Sequence, residues 1–146
     1  MQLSELGELG LLAELERRGL ALGIDHDAAQ LAGGVIATQD ALIEGVHFRL
    51  DWISWRDLGW RAAAVNLSDL AASGADPEGL LVTLGAPPET EVRKVIELYE
   101  GIAETNVAVL GGDTTAADRL LLSVSAEAQM PSVISRTDAL VKLCDV

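Results

Sequence analysis

A chain of 146 residues, 49% of them apolar, has the size of one domain able to bury a single core, and with only three Trp, one Tyr and one Phe that core must be built from Ala, Leu, Val and Ile. Twenty-three acidic against ten basic residues leave a formal net charge of −13, which argues against nucleic acid or an anionic membrane as partner, since both need a basic surface. The single cysteine, Cys144, excludes an internal disulfide and a multi-cysteine zinc site; no apolar run approaches the roughly 18 residues of a membrane span, and the N-terminus lacks the order of a signal peptide, so a cytoplasmic location is expected.

From Leu3 to Arg18, the residues Leu6, Leu9, Leu12, Ala13 and Leu15 recur at helical spacing, with Ser4 as a cap and Gly19 as a stop. Gly23 to Ala29 is an acidic turn, followed by Gly33-Gly34 and a strand, Val35 to Thr38, ending at Asp40. Trp52 to Ser73 is an Ala-rich helix that Gly74 closes, and Trp52, Trp55 and Trp60, which could offer a stacking site, read more readily as core or interface packing. Leu80 to Leu84 is a strand stopped by Gly85 and Pro87-Pro88, and Glu89 to Glu104 a second surface helix. Val107 to Leu110 reads as a buried strand running into Gly111-Gly112-Asp113-Thr114-Thr115, and Leu120 to Ala126 alternates as one more strand. No repeat or linker divides the chain, so residues 1–146 are expected to form a single domain.

An acidic protein can hold a polyphosphate if its carboxylates grip magnesium, a hard cation that takes oxygen ligands and completes its octahedron with water and phosphate. Asp27, Asp40, Asp69 and Asp113 are candidates because each is expected at a strand end or a glycine-containing turn, where a ligand can approach. Taken singly, each also reads as an ordinary cap or Asx-turn. Gly111-Gly112 would let backbone N–H groups approach a phosphate, yet no Walker A loop or dinucleotide fingerprint is present, and a simple turn explains the pair nearly as well. His47, flanked by Val46 and Phe48, reads either as a packed side chain or as a donor to substrate.

Taken together, these segments resemble the thiamine-monophosphate kinases of the aminoimidazole-ribonucleotide-synthetase-like superfamily. The likeness rests on Leu6-Gly7-Glu8, Asp27-Ala28-Ala29, Thr38-Gln39-Asp40, Glu44-Gly45-Val46-His47-Phe48, and above all on the run from Ala64 to Pro77 that contains Asn66-Leu67-Ser68-Asp69, with Gly111 to Thr115 at the expected distance. The resemblance implies magnesium at Asp27, Thr38, Gln39, Asp40, Asp69 and Asp113, ATP at Gly111, Gly112 and Arg136, and thiamine monophosphate at His47. It also implies an α+β fold, a mixed β-sheet flanked by helices, forming the N-terminal half of a two-domain enzyme whose copies dimerise through their sheets.

The implied reaction moves the γ-phosphoryl group of ATP onto the phosphate of thiamine monophosphate, a transfer that works by positioning and charge neutralisation and needs no protein nucleophile. The family's Gly-Ile-Gly-Asp-Asp turn here reads Gly23-Ile24-Asp25-His26-Asp27, so side chains stand where the family has a glycine and an aspartate. With the C-terminal domain absent from these 146 residues, the expectation is an inactive fragment. The rival expectations are another ATP-using enzyme of the same superfamily and a self-associating domain without catalysis.

Overall fold

The computed structural model describes residues 2–21 and 26–130. The first helix, α1 (Leu3–Arg17), carries a capping box between Gln2 and Glu5 rather than a Ser4 cap, and Gly7 interrupts it at φ 71°. Gly19 ends it at φ 68°, as glycine does past a helix C-terminus. None of its residues is buried and none of its apolar side chains joins the core, although Leu6, Leu11, Leu12 and Leu15 are half-buried.

Two-residue β1 (Ala29–Gln30), too short to leave a periodic signal, pairs antiparallel with β2 (Val35–Ile43). Strand β2 runs three residues beyond Asp40, because apolar Leu42 continues the buried alternation. Next come α2 (Trp55–Ala72), β3 (Asp76–Ala86), α3 (Val92–Ala103), β4 (Val109–Ala116) and β5 (Leu121–Gln129). Ser54 caps α2 by accepting the Asp57 N–H at 3.0 Å, which leaves Trp52 outside the helix in the preceding turn and 77% exposed. Core packing, one of the two packing roles expected of it, is thereby overturned for Trp52.

The sheet has the order β1-β2-β5-β3-β4, antiparallel except for β3 and β4, which α3 joins as a parallel crossover. This is an α+β fold with a five-stranded mixed sheet. Pro77 is tolerated in β3 because it pairs only with Ala128 of β5, and β4 does not begin on the other side until Leu80. Alternation sends Ile36, Leu42, Leu80, Val82, Leu122 and Val124 to one face, where Leu58, Leu70, Leu98 and Ile102 of α2 and α3 close the core. The two helices touch backbone to backbone at Gly59 and Gly101: a Cβ on Gly59 would lie 1.9 Å from the Leu98 carbonyl oxygen, and one on Gly101 1.8 Å from that of Arg56.

Among the described residues no helix covers the opposite face, with Leu81, Ser123, Ser125 and Gln39. Strand β4, expected to be buried, is exposed along its whole length because it is the sheet's edge. The Gly111 to Thr115 segment is therefore strand rather than turn. Gly112, at φ 145°, is required by strand pairing itself, since a Cβ there would sit 1.8 Å from the Val82 carbonyl oxygen.

Candidate functional site

The expectation that the four aspartates sit at strand ends or turns holds for Asp27 alone, which lies in the bend before β1. Asp40 is inside β2, Asp69 in the last turn of α2 and Asp113 inside β4. Three of them nevertheless converge on the helix-covered side of the sheet. Buried Thr38 ties them together: its Oγ1 lies 2.9 Å from the Asp27 backbone carbonyl and 3.2 Å from Asp69 Oδ2, and its one proton can go to either oxygen. Asp40, two residues along the same face of β2, has its carboxyl pKa pushed up by burial first, then by the charges of Asp69 and Asp27, with His47 pulling the other way. Asn66, one turn before Asp69 on α2, is fully buried; its Nδ2 donates to the Ala62 carbonyl at 3.0 Å, and its Oδ1 meets no donor among the described residues.

Gln39 and Asp113 lie elsewhere. Gln39 Nε2 donates to Ser123 Oγ at 3.1 Å on the open face. The register Ala41–Ser123–Thr83–Asp113 runs straight across four strands, so Asp113 is roughly 14 Å from β2, three spacings of about 4.8 Å. Asp113 lines a groove of about 400 Å³ along the β4 edge with Gly111, Gly112, Thr114 and Tyr99. Sequence reasoning missed Tyr99. Its position in the apolar period of α3 disguised it as core, yet it also lines the adjoining groove beside Pro87, Thr90 and Thr115. Burial raises its pKa, so the phenol stays neutral and able to donate.

A third region is a cleft of about 510 Å³ lined by Gly45, His47, Arg49, Trp52, Ile53 and Arg61, among others. His47 Nδ1 accepts the Ile43 N–H at 3.0 Å, which puts the proton of the neutral ring on Nε2 and makes that nitrogen a donor. The Arg49 guanidinium stacks 4.6 Å from the Trp52 ring centroid and is paired with Asp51. Arg136 and the altered Asp25 lie outside the described residues; His26 lies in the bend beside Asp27.

Among the described residues no three carboxylate, histidine or cysteine side chains stand close enough to hold one ion between them. That arrangement suits magnesium better than a closed cage would, because this cation usually takes one or two carboxylates and fills its remaining positions with water and substrate phosphate. The donor set is oxygen only, and the mutual repulsion at Asp40 is what a divalent cation would relieve.

Residues 25–130 match the family model described as AIR synthase related protein, N-terminal domain. The thiamine-monophosphate kinase of Synechococcus elongatus is 38% identical over 132 residues, covering 85% of this chain and 40% of that protein. That of Aquifex aeolicus is 31% identical over 146 residues, covering 95% and 47%. The solved structure of AaThiL complexed with AMPPCP and TMP superposes with a TM-score of 0.82 at 31% identity, over 89% of this chain and 44% of that one. The chain thus spans less than half the length of each of these relatives.

Proposed function

Because the chain belongs to the AIR synthase related protein, N-terminal domain family, we propose that residues 1–146 form the single nucleotide- and magnesium-binding domain of a cytoplasmic thiamine-monophosphate kinase, which transfers the γ-phosphoryl group of ATP to the phosphate of thiamine monophosphate. The observation that carries the reading is the likeness, across 89% of the chain, to a protein solved with AMPPCP and TMP, together with the oxygen-rich and glycine-rich subsites. Gly111 and Gly112 present backbone to the nucleotide along the β4 edge, Asp113 holds an ion against its phosphates, and Arg136 adds a positive charge for the nucleotide. Asp27, Thr38, Asp40 and Asp69 hold further magnesium on the helix-covered side of the sheet, and Gln39 offers its amide oxygen to an ion on the open face. Magnesium supplies charge neutralisation and alignment of donor and acceptor oxygens. His47 Nε2 donates to the acceptor's phosphate.

Calorimetric titration of the chain with AMPPCP tests this reading. Binding is expected with magnesium and not without it, and Asp113→Asn, which removes a charge at nearly constant shape, is expected to weaken it about tenfold. Undiminished magnesium-dependent binding in that variant would withdraw Asp113 from the site.

The open sheet face, with Leu81 41% exposed, and the β4 edge, unpaired among the described residues, are the surfaces through which two copies would associate. Light scattering at high micromolar concentration is expected to report twice the 15.4 kDa of one chain, and Leu81→Lys should halve that mass. A monomeric wild-type chain under these conditions would rule out the sheet-to-sheet dimer.

A further inference from the structure

In a chain this acidic, basic side chains find carboxylates, and most of the described ones do: Arg17 and Arg18 pair with Glu14, Arg49 with Asp51, Arg56 with Glu100 and Glu104, Arg93 with Glu91, and Lys94 with Glu97. Among the described residues Arg61 and Arg119 alone have no acidic partner. Both lie against the same short loop. Arg61 Nη1 donates to the His47 carbonyl oxygen at 3.2 Å, which uses one of its five N–H donors. The Arg119 guanidinium stands 3.9 Å from where a Cβ of Gly45 would be. Gly45 and His47 are two residues apart, at most about 7 Å of chain. Leu120, the neighbour of Arg119, is fastened to the same loop, since its N–H meets Glu44 Oε2 at 3.3 Å and its carbonyl accepts the Glu44 N–H at 2.9 Å.

We infer that Arg61 and Arg119, one from α2 and one from the turn before β5, flank the Gly45–Phe48 loop as a seat for the phosphate monoester of the acceptor substrate, with the His47 Nε2–H as its third donor. Guanidinium groups suit this task, since their planar forks meet phosphate oxygens two at a time. Leaving two arginines unpaired beside one loop in a protein of charge −13 concentrates positive potential there, and Arg61 lines the same cleft as His47 and Trp52, while Arg119 reaches the loop at Gly45. Arg49 is not part of the seat, because Asp51 and Trp52 already occupy it. The inference rests on the kinase reading only for the identity of the acceptor.

Nitrogen-15 spectra of the arginine side chains, titrated with inorganic phosphate in the absence of magnesium and nucleotide, test it. The Arg61 and Arg119 Nε–H signals are expected to shift in one saturable process while those of ion-paired Arg56 and Arg93 stay still. Arg61→Gln and Arg119→Gln should each weaken phosphate about tenfold, and Arg61→Lys should recover part of the loss by restoring the charge. Thiamine monophosphate should compete for the seat, whereas thiamine and AMPPCP should not. Equal shifts at all arginines, unchanged affinity in both glutamine variants, or better competition by AMPPCP would each overturn the proposal. Failure of the kinase reading would show separately, as loss of magnesium-dependent AMPPCP binding with the phosphate shifts intact.

Discussion

Gly59→Val is expected to cost more than about 3 kcal/mol of folding stability, a large share of the about 5–15 kcal/mol that holds a domain folded. A Cβ at this position would overlap a backbone carbonyl of α3, at 1.9 Å from Leu98 O, so no rotamer change can relieve the clash. The helices would have to separate, and separation would uncover Leu58, Leu98 and Ile102, which pack at that contact and are fully buried. Gly101→Val should behave alike, because its Cβ would meet Arg56 O from the facing helix. Gly74→Ala provides the contrast. Nothing lies within 4 Å of its Cβ, and its positive φ of 70° should cost only about 1–2 kcal/mol. Urea unfolding followed by circular dichroism checks the order, and a midpoint for Gly59→Val at or above that of Gly74→Ala would refute the close helix contact.

The contrast between those glycines shows which parts of the chain could be read from its residues. Helices α2 and α3 and strands β2, β3 and β5 follow from apolar periodicity, since Leu58, Leu98, Leu80 and Leu122 recur where a core needs them. Periodicity is silent on why a glycine is present. Gly111-Gly112 reads as punctuation, yet here it is strand, and Gly112 is fixed by the approach of β3, a fact of tertiary pairing. The same blindness hid the partition of the site. Asp27, Asp40, Asp69 and Asp113 look alike as turn acids, but strand order and side-chain alternation bring three together and carry Asp113 across the sheet. The resemblance to the kinase family supplied the residues, while β-sheet register decides which of them share a face.

Asp40→Asn is expected to act in opposite directions with and without magnesium. Burial and the neighbouring charges of Asp69 and Asp27 raise the folded-state pKa of Asp40 above its ordinary value of 3.8, so between those two values the folded chain binds more protons than the unfolded one. Stability is therefore lost as pH climbs from about 3.8 through the raised folded value, and the loss persists at neutral pH. An uncharged amide of the same shape removes it. Without metal, Asp40→Asn should melt higher than wild type at pH 7, with the advantage fading as pH falls toward 4. With magnesium and AMPPCP the ranking should reverse, because the repulsion that destabilises the empty cluster is what the cation neutralises. Ligand at a hundred times its dissociation constant adds about 2.7 kcal/mol to the wild type, and a variant that has lost the ion forgoes most of that gain. Thermal melts at pH 4, 5.5 and 7, each with and without the two ligands, separate these effects. A variant that melts lower than wild type without metal would show that Asp40 is held by attractive contacts, and an unreduced ligand-induced rise would show that magnesium does not bind there.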